Sequence, residues 1–182
     1  MNQGLIPRRY AKALYKFALE KGTDSRVYVL AGNLVDGFLS APALNRAMAN
    51  PFVPTADKID LLTTAAKADK KTDTVFEDFL HLLADNNRLA FARDIAVAYR
   101  DIYRKANHIR RVPVVSAQQL DPAQETRLKK LIQTHLGDDK MEYNSSINPE
   151  LIGGFTVSID NERLDASLSN ELNLLRQNLI KD

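Results

Sequence analysis

The sequence predicts a mainly α-helical protein with an N-terminal six-helix bundle over residues 1–107 and a small α+β C-terminal domain over residues 108–182. Two observations support this fold class. Apolar residues recur three or four positions apart throughout the first part, which is typical of amphipathic helices. After His108 they alternate with polar residues, which is typical of strands. With 182 residues, of which 45% are apolar, each part has enough apolar side chains to form a core.

Six helices are expected in the first part. The first has Pro7 near its start and is stopped by Gly22. Asp24 or Ser25 can cap the second, and Pro42 opens a short third helix. The remaining three are expected from about Thr55 to Ala68, from about Thr72 to Asn86, and from Arg88 to Ala106. The short connections between them indicate an antiparallel bundle.

The second part mixes strands and helices. Residues Ile109–Val115 are β-branched and interrupted by Pro113, which predicts an edge strand. Asp121, Pro122 and Gln124 predict a helix start with a capping box, and Gly137 ends that helix. Further alternation predicts strands around Met141–Ser145, Phe155–Ile159 and Arg163–Ala166, and a last helix carries Leu168, Leu172, Leu175 and Leu179.

Composition excludes several classes of protein. The net charge of +2 gives no general field for binding nucleic acid. The absence of cysteine excludes disulfides, thiolate zinc sites and a cysteine nucleophile. No apolar run approaches the roughly 20 residues that cross a bilayer, and no export signal is present, so we expect an intracellular protein without membrane insertion.

The search for catalytic or cofactor-binding motifs finds none. The chain has no Gly-x-x-x-x-Gly-Lys-Ser/Thr phosphate loop, and Gly153-Gly154 precedes a strand, where a bend or a close backbone approach is the expected role. His81, His108 and His135 are too far apart in sequence for a helical metal pair. We therefore expect no catalytic residue, no metal site and no cofactor.

Two helices have unusually wide apolar faces. At about 100° per residue, the apolar residues of the first helix cover roughly 240° and those of the fifth roughly 200°, whereas packing on one side needs little more than 100°. Either both helices are buried on all sides, or they share a groove that receives a helix of another protein.

Four segments resemble the delta subunit of bacterial F-type ATP synthase, whose mitochondrial counterpart is the oligomycin-sensitivity-conferring protein. They are Arg9–Ala18 (RYAKALYKFA), Leu82–Leu89 (LLADNNRL), Asn148–Val157 (NPELIGGFTV) and Leu164–Ser167 (LDAS). The resemblance extends from the first helix to the last. It implies a stator subunit at the cytoplasmic face of the bacterial inner membrane, which holds the catalytic head still so that rotation drives ATP synthesis.

The resemblance also implies partners. The bundle is expected to bind the N-terminal helices of alpha subunits between its first and fifth helices, and the C-terminal domain is expected to bind the b subunits of the peripheral stalk. No nucleic acid and no homo-oligomer are expected. The expected alpha-subunit contacts are Ile6, Tyr10, Ala13, Leu14, Phe17, Phe79, Leu82 and Leu83. The expected b-subunit contacts are Leu151, Ile152, Gly153, Gly154, Phe155 and Leu172.

An alternative function is a non-catalytic adapter that binds RNA or an unrelated protein. The N-terminal part has 16 Lys and Arg against 12 Asp and Glu, a net charge of +4 that weakly favours this alternative. RNA binding would depend steeply on salt concentration, whereas the stator function would not.

Overall fold

The computed structural model describes residues 4–149, 151–159 and 162–168. The chain divides into two compact units, Met1–Ala106 and Asn107–Asp182, which we call the N-terminal and C-terminal units. The described residues confirm the predicted fold class, because helices occupy the first unit and a four-stranded sheet with one long helix occupies the second.

Six α-helices form the N-terminal unit. They are α1 (Leu5–Glu20), α2 (Asp24–Ser40), α3 (Pro42–Ala49), α4 (Thr55–Ala66), α5 (Thr74–Asp85) and α6 (Ala92–Ala106), the last preceded by a 3-10 turn at Leu89–Phe91. The helices bury one continuous apolar core, whose most completely enclosed side chains include Leu30, Leu34, Leu62, Leu80, Leu83, Ile95 and Tyr99.

Three helix ends differ from the sequence prediction. Helix α4 stops at Ala66 because Lys67 takes a left-handed conformation with a φ of 54°. Helix α5 begins after Asp73, since the backbone N–H groups of Thr72 and Asp73 both donate to the Asp69 carbonyl and close a separate turn. The start of the predicted sixth helix is the 3-10 turn that precedes α6.

An ion pair between the half-exposed Arg26 and the buried Asp73 joins α2 to the turn before α5. The Arg26 guanidinium donates Nε–H and Nη2–H to the two carboxylate oxygens of Asp73, each at 2.8 Å. The Asp73 side chain is only 3% exposed and also accepts the backbone N–H of Asp69 at 2.9 Å. The hydrogen bonds from Arg26 hold the pKa of Asp73 below its usual range. The pair therefore fixes the start of α5 against the start of α2.

A cluster of tyrosines joins α1, α2 and α6. The Tyr99 hydroxyl donates to the backbone carbonyl of Asp24 at 3.0 Å, and burial raises the pKa of Tyr99. Tyr15 contacts the Tyr99 ring edge-on at 6.0 Å between centroids, and Tyr28 stacks on Tyr103 at 4.4 Å. Tyr15 is the residue of α1 that contacts the tyrosines of α6 in this cluster.

The C-terminal unit contains a mixed sheet. Its described elements are β1 (Ile109–Ser116), α7 (Pro122–Leu136), β2 (Lys140–Ile147), β3 (Gly154–Ile159) and β4 (Glu162–Ser167), and the strand order is β2-β1-β3-β4. Strand β1 is parallel to β2 and antiparallel to β3, and β3 is antiparallel to β4. Helix α7 begins with the predicted capping box of Asp121 and Gln124 and connects the parallel pair.

The prediction that the first strand lies at the edge of the sheet is wrong. Strand β1 pairs with β2 along its whole length and with β3 from Val114 to Ser116. Pro113 therefore lies in the stretch of β1 that has a partner on one side only, where a missing N–H donor is tolerated. Val112 and Val114 are fully buried, which is consistent with a central strand.

The predicted last helix lies outside the described residues except for Leu168. Within the described residues no single helix is long and apolar enough to cross a membrane, although α2 and α3, which meet at 98°, would pass the same test of length and composition if joined.

Candidate functional site

Helices α1 and α5 meet along an aromatic contact. The rings of Tyr10 on α1 and Phe79 on α5 are 6.4 Å apart between centroids, in an edge-to-face arrangement. Arg88 covers the end of this contact, because its guanidinium carbon lies 5.2 Å from the Tyr10 ring centroid and its Nη1–H donates to the Tyr10 hydroxyl at 2.7 Å. The two helices are therefore neighbours at this contact, and we define the α1–α5 surface by the exposed or half-buried apolar residues next to it, Ile6, Tyr10, Ala13, Phe17 and Leu82.

The structure separates the eight predicted alpha-subunit contacts into three groups. Ala13, Phe17 and Leu82 are exposed, with Phe17 at 40% and Leu82 at 48%. Ile6 and Tyr10 are half-buried. Leu14, Phe79 and Leu83 lie in the core and line a small apolar cavity inside the bundle. A helix laid on the α1–α5 surface would therefore contact the first two groups, with the third supporting them from beneath.

The apolar residues of α1 fall into three groups, which lie on different sides of the helix. Pro7, Ala11, Leu14 and Ala18 form its buried stripe. Tyr15 lies on one side of that stripe, in the tyrosine cluster. The α1–α5 surface lies on the other side, where Ala13 and Phe17 are exposed. Burial on all sides therefore does not account for α1.

Helix α5 is closer to complete burial. Five of its apolar residues lie in the core, namely Val75, Phe76, Phe79, Leu80 and Leu83. Ala84 is half-buried, and Leu82 is the large apolar residue of α5 that remains exposed. Packing in the core thus accounts for most of the wide apolar face of α5. Leu82 is the residue of α5 that belongs to the exposed α1–α5 surface.

Sequence reasoning did not identify Arg88 as part of this site. Asn87 takes a left-handed conformation with a φ of 56°, and the Arg88 backbone N–H donates to the Leu83 carbonyl at 2.7 Å. This turn brings the Arg88 side chain back over α1. The Asn86-Asn87 pair at the end of α5 was the available signal, since Asn tolerates the left-handed conformation that ends helices.

In the C-terminal unit, the two predicted glycines have a structural role. Gly154 has a φ of 80°, and a Cβ built on it would lie 2.1 Å from the Ala166 carbonyl oxygen. A Cβ on Gly153 would lie 2.5 Å from Leu168 Cδ1. The Gly153 carbonyl also accepts the Leu168 N–H at 3.1 Å. The prediction of a close backbone approach at Gly153-Gly154 is therefore confirmed.

The other predicted b-subunit contacts differ in exposure. Ile152 is 72% exposed, Leu151 is half-buried, and Phe155 packs against the core of the C-terminal unit. Leu172 lies outside the described residues. Ile152 thus has the most exposed side chain of the Leu151–Phe155 tract.

The chain resembles known proteins over nearly its whole length. The family described as "OSCP: ATP synthase delta (OSCP) subunit" matches residues 6–179. The protein "ATP synthase subunit delta" of Parabacteroides distasonis is 35% identical over 182 residues, which cover 100% of this chain and 99% of that protein. The protein of the same name from Bacteroides thetaiotaomicron is 33% identical over 180 residues, covering 99% and 96%.

A solved structure shows the same fold at lower identity. A chain in the structure of the Toxoplasma gondii mitochondrial ATP synthase hexamer matches with a TM-score of 0.70 and 20% identity. The match covers 96% of this chain and 97% of that one. The resemblance noted in four segments thus extends over the full sequence, and the chain belongs to the ATP synthase delta (OSCP) subunit family.

Proposed function

We propose that this protein is a non-catalytic stator subunit of an F-type ATP synthase, which connects the N-terminal helices of alpha subunits to the b subunits of the peripheral stalk. Family membership supports a role in ATP synthesis and the coupled ion transport as part of the stator. The proposed location is the cytoplasmic face of the inner membrane, as a peripheral part of the complex. The work of the subunit is mechanical, because a head that turned with the central shaft would transmit no torque to the reaction.

The exposed apolar residues of the α1–α5 surface carry the proposed contact with alpha subunits. Phe17 and Leu82 are large apolar side chains that remain exposed, and Ile6 and Tyr10 beside them on α1 are half-buried. Ala13 is exposed about one turn before Phe17 on α1, and its small side chain allows a second helix backbone to approach closely. An amphipathic helix with an apolar stripe fits such a surface.

Replacing Ala13 or Leu82 with Asp tests this contact. A carboxylate buried without a partner in a dry interface costs several kcal/mol, so binding of an alpha-subunit N-terminal peptide should fall by more than about 100-fold. Both residues are exposed in the free protein, so the thermal midpoint should change by less than about 2 °C. Calorimetric titration and thermal melts on the full chain measure the two effects.

Leu61→Asp is the matched control for Leu82→Asp. Leu61 lies on α4 and is 42% exposed, close to the 48% of Leu82, and it is not part of the α1–α5 surface. It should leave peptide binding unchanged. Equal losses of binding in the control and the test variants, or full binding in both test variants, would refute the assignment of this surface.

The proposed contact with b subunits is tested at Ile152. Ile152→Asp should weaken association with a soluble b-subunit dimer by at least about tenfold, because the exposed side chain would bury a charge on binding. Leu131→Asp on α7, at a similar exposure of 69%, is the control and should bind normally. Normal binding by Ile152→Asp would remove the Leu151–Phe155 tract from the proposed interface.

A further inference from the structure

Four charged residues border the α1–α5 surface. Arg9 and Lys16 are exposed on α1, and Asp78 and Asp85 are exposed on α5. In the part of the chain that the structure describes, none of these four side chains forms a hydrogen bond or an ion pair. Elsewhere on the same unit an exposed pair does form, between Lys70 and Asp60 at 2.6 Å. The four charges are therefore available to a partner.

The two pairs occupy equivalent positions on their helices. At about 100° per residue, Arg9 and Lys16 lie about 40° and 60° beyond Ala13, on the side away from the core. Asp78 and Asp85 lie about 40° and 60° beyond Leu82. Each pair is separated by seven residues, which is two helical turns or about 10.5 Å.

The contact between Tyr10 and Phe79 places these two borders on opposite sides of the surface. Around α1, starting from Tyr10 and moving away from the core, the apolar residues Phe17, Ile6 and Ala13 come before the basic border. Around α5, starting from Phe79 and moving away from the core, Leu82 comes before the acidic border. One border is basic and the other is acidic. Glu20, one turn after Lys16, interrupts the basic border at the end of α1.

We infer that the α1–α5 surface accepts an amphipathic helix with acidic residues along the edge next to α1 and basic residues along the edge next to α5. We further infer that these charges set the direction in which the bound helix runs. The inference rests on the proposed function, since it takes this surface as the site for a partner helix. It adds the charge pattern of that helix and its direction.

The direction follows from geometry. A helix that keeps its apolar stripe on the surface can be turned end for end, and that turn exchanges its two edges. The apolar floor alone does not distinguish the two directions. With oppositely charged borders, one direction places the two basic and the two acidic residues next to opposite charges, and the other direction places them next to like charges, which is unfavourable. Charges at the rim of an interface act mainly on specificity and association rate, so their effect is greatest at low ionic strength.

Charge reversal on the full-length protein tests the borders. The probe is a synthetic 21-residue amphipathic helix with Glu along one edge and Lys along the other at seven-residue spacing. Reversal of one border, Arg9→Glu with Lys16→Glu, should weaken binding about tenfold at low salt. Adding Asp78→Lys and Asp85→Lys to that variant should restore binding, because the helix then pairs its charges in the opposite direction. Arg8→Glu with Lys12→Glu changes the net charge of α1 equally on its outer face and should leave binding unchanged.

A distance measurement tests the direction itself. The chain has no cysteine, so Leu5→Cys, at an exposed position at the start of α1, gives a single site for a nitroxide label. A second nitroxide is placed at the N-terminus of the peptide. The original peptide and a peptide with Glu and Lys exchanged should give one short and one long distance, which differ by about the 24 Å length of α1. The protein with both borders reversed should exchange the two results.

The results of these experiments distinguish the inference about charge and direction from the proposed function. Equal distances for both peptides, persistent weak binding after both borders are reversed, or equal weakening by the outer-face control would each overturn the inference about charge and direction. Failure of the wild-type protein to bind either synthetic helix or the alpha-subunit peptide would overturn the proposed function instead.

Discussion

A series of glycine-to-alanine substitutions separates two reasons why this chain has glycine at particular positions. One is a left-handed φ, and the other is the close approach of other atoms to the place where a Cβ would lie. Gly154→Ala combines both, because its φ of 80° disfavours an L-residue and the new Cβ would meet the Ala166 carbonyl oxygen at 2.1 Å. Gly153→Ala adds a contact at 2.5 Å with the end of the Leu168 side chain, which can move. Gly22→Ala, with a φ of 66° and nothing within 4 Å of the new Cβ, has only the conformational cost.

The expected magnitudes follow from these differences. The left-handed conformation costs a non-glycine residue about 1–2 kcal/mol, which is the expected loss for Gly22→Ala. Gly153→Ala should cost about 1 kcal/mol, since Leu168 can change rotamer. Gly154→Ala must also move backbone where β3 pairs with β4, because Gly154 is opposite Ser167 in the register. We expect a loss of at least about 3 kcal/mol, a large part of the stability of a unit of this size.

Hydrogen exchange with mass spectrometry measures the effect for each unit separately. In Gly154→Ala the amides of β1 to β4 should exchange faster, while those of α1 to α6 should keep their protection, because the substitution lies in the C-terminal unit. Binding of the alpha-subunit peptide should then persist and binding of b subunits should be lost. If Gly154→Ala proves no more destabilising than Gly153→Ala, the reasoning from the close approach to Ala166 is refuted.

Two further predictions concern the N-terminal unit. Asp73→Asn should lower its stability by about 1–3 kcal/mol, less than for a fully buried pair because Arg26 is half exposed. Since the pKa of Asp73 is lowered by folding, the wild-type stabilisation is present above the usual carboxyl range near pH 4 and is lost as the pH falls through the lower native value. Urea titrations from pH 7 to pH 2 should show this acid dependence reduced in Asp73→Asn, and an unchanged dependence would contradict it. Leu83→Ala should cost about 2–5 kcal/mol because Leu83 is fully buried, whereas Leu82→Ala should cost under about 1 kcal/mol. Equal melting points for the two alanine variants would show that the buried and exposed sides of α5 are assigned wrongly.

The helices were predictable where a local signal marks each end. Pro42 at the start of α3, Gly22 after α1 and the capping box of α7 all act within a few residues of the chain, so the sequence alone places them. The ends that differ depend on other contacts. Helix α4 ends at Ala66 because the next residue is left-handed, although that residue, Lys67, is of a type with no marked tendency to end helices. Helix α5 is shortened by the turn that Asp69 and Asp73 form.

The central position of β1 could not be predicted from the sequence of that strand alone, because it depends on the strands that pair with it. Pro113 is evidence about hydrogen bonding at one residue, whereas a strand is central or at the edge according to what pairs with it elsewhere along its length. Here β3 pairs with the three residues that follow Pro113, so a proline and a central position are compatible. Val112 and Val114, on either side of Pro113, are both fully buried, as expected for a central strand.

The width of an apolar arc predicts how much apolar surface a helix has, but it does not predict which of its residues are buried. The width of the α1 arc correctly indicated more apolar surface than one packing contact needs, but it did not distinguish Leu14, which is buried, from Ala13, which is exposed one residue away. That distinction depends on where α5 and α6 lie against α1, which the sequence of α1 does not contain.

The charged residues give information that the apolar arc does not, because they mark where each apolar face ends. They are Arg9, Lys16, Asp78 and Asp85. An exposed apolar strip with unpaired charges of opposite sign on its two borders is a more specific indication of a docking helix than either feature alone, because hydrophobic burial gives affinity and the charges give orientation.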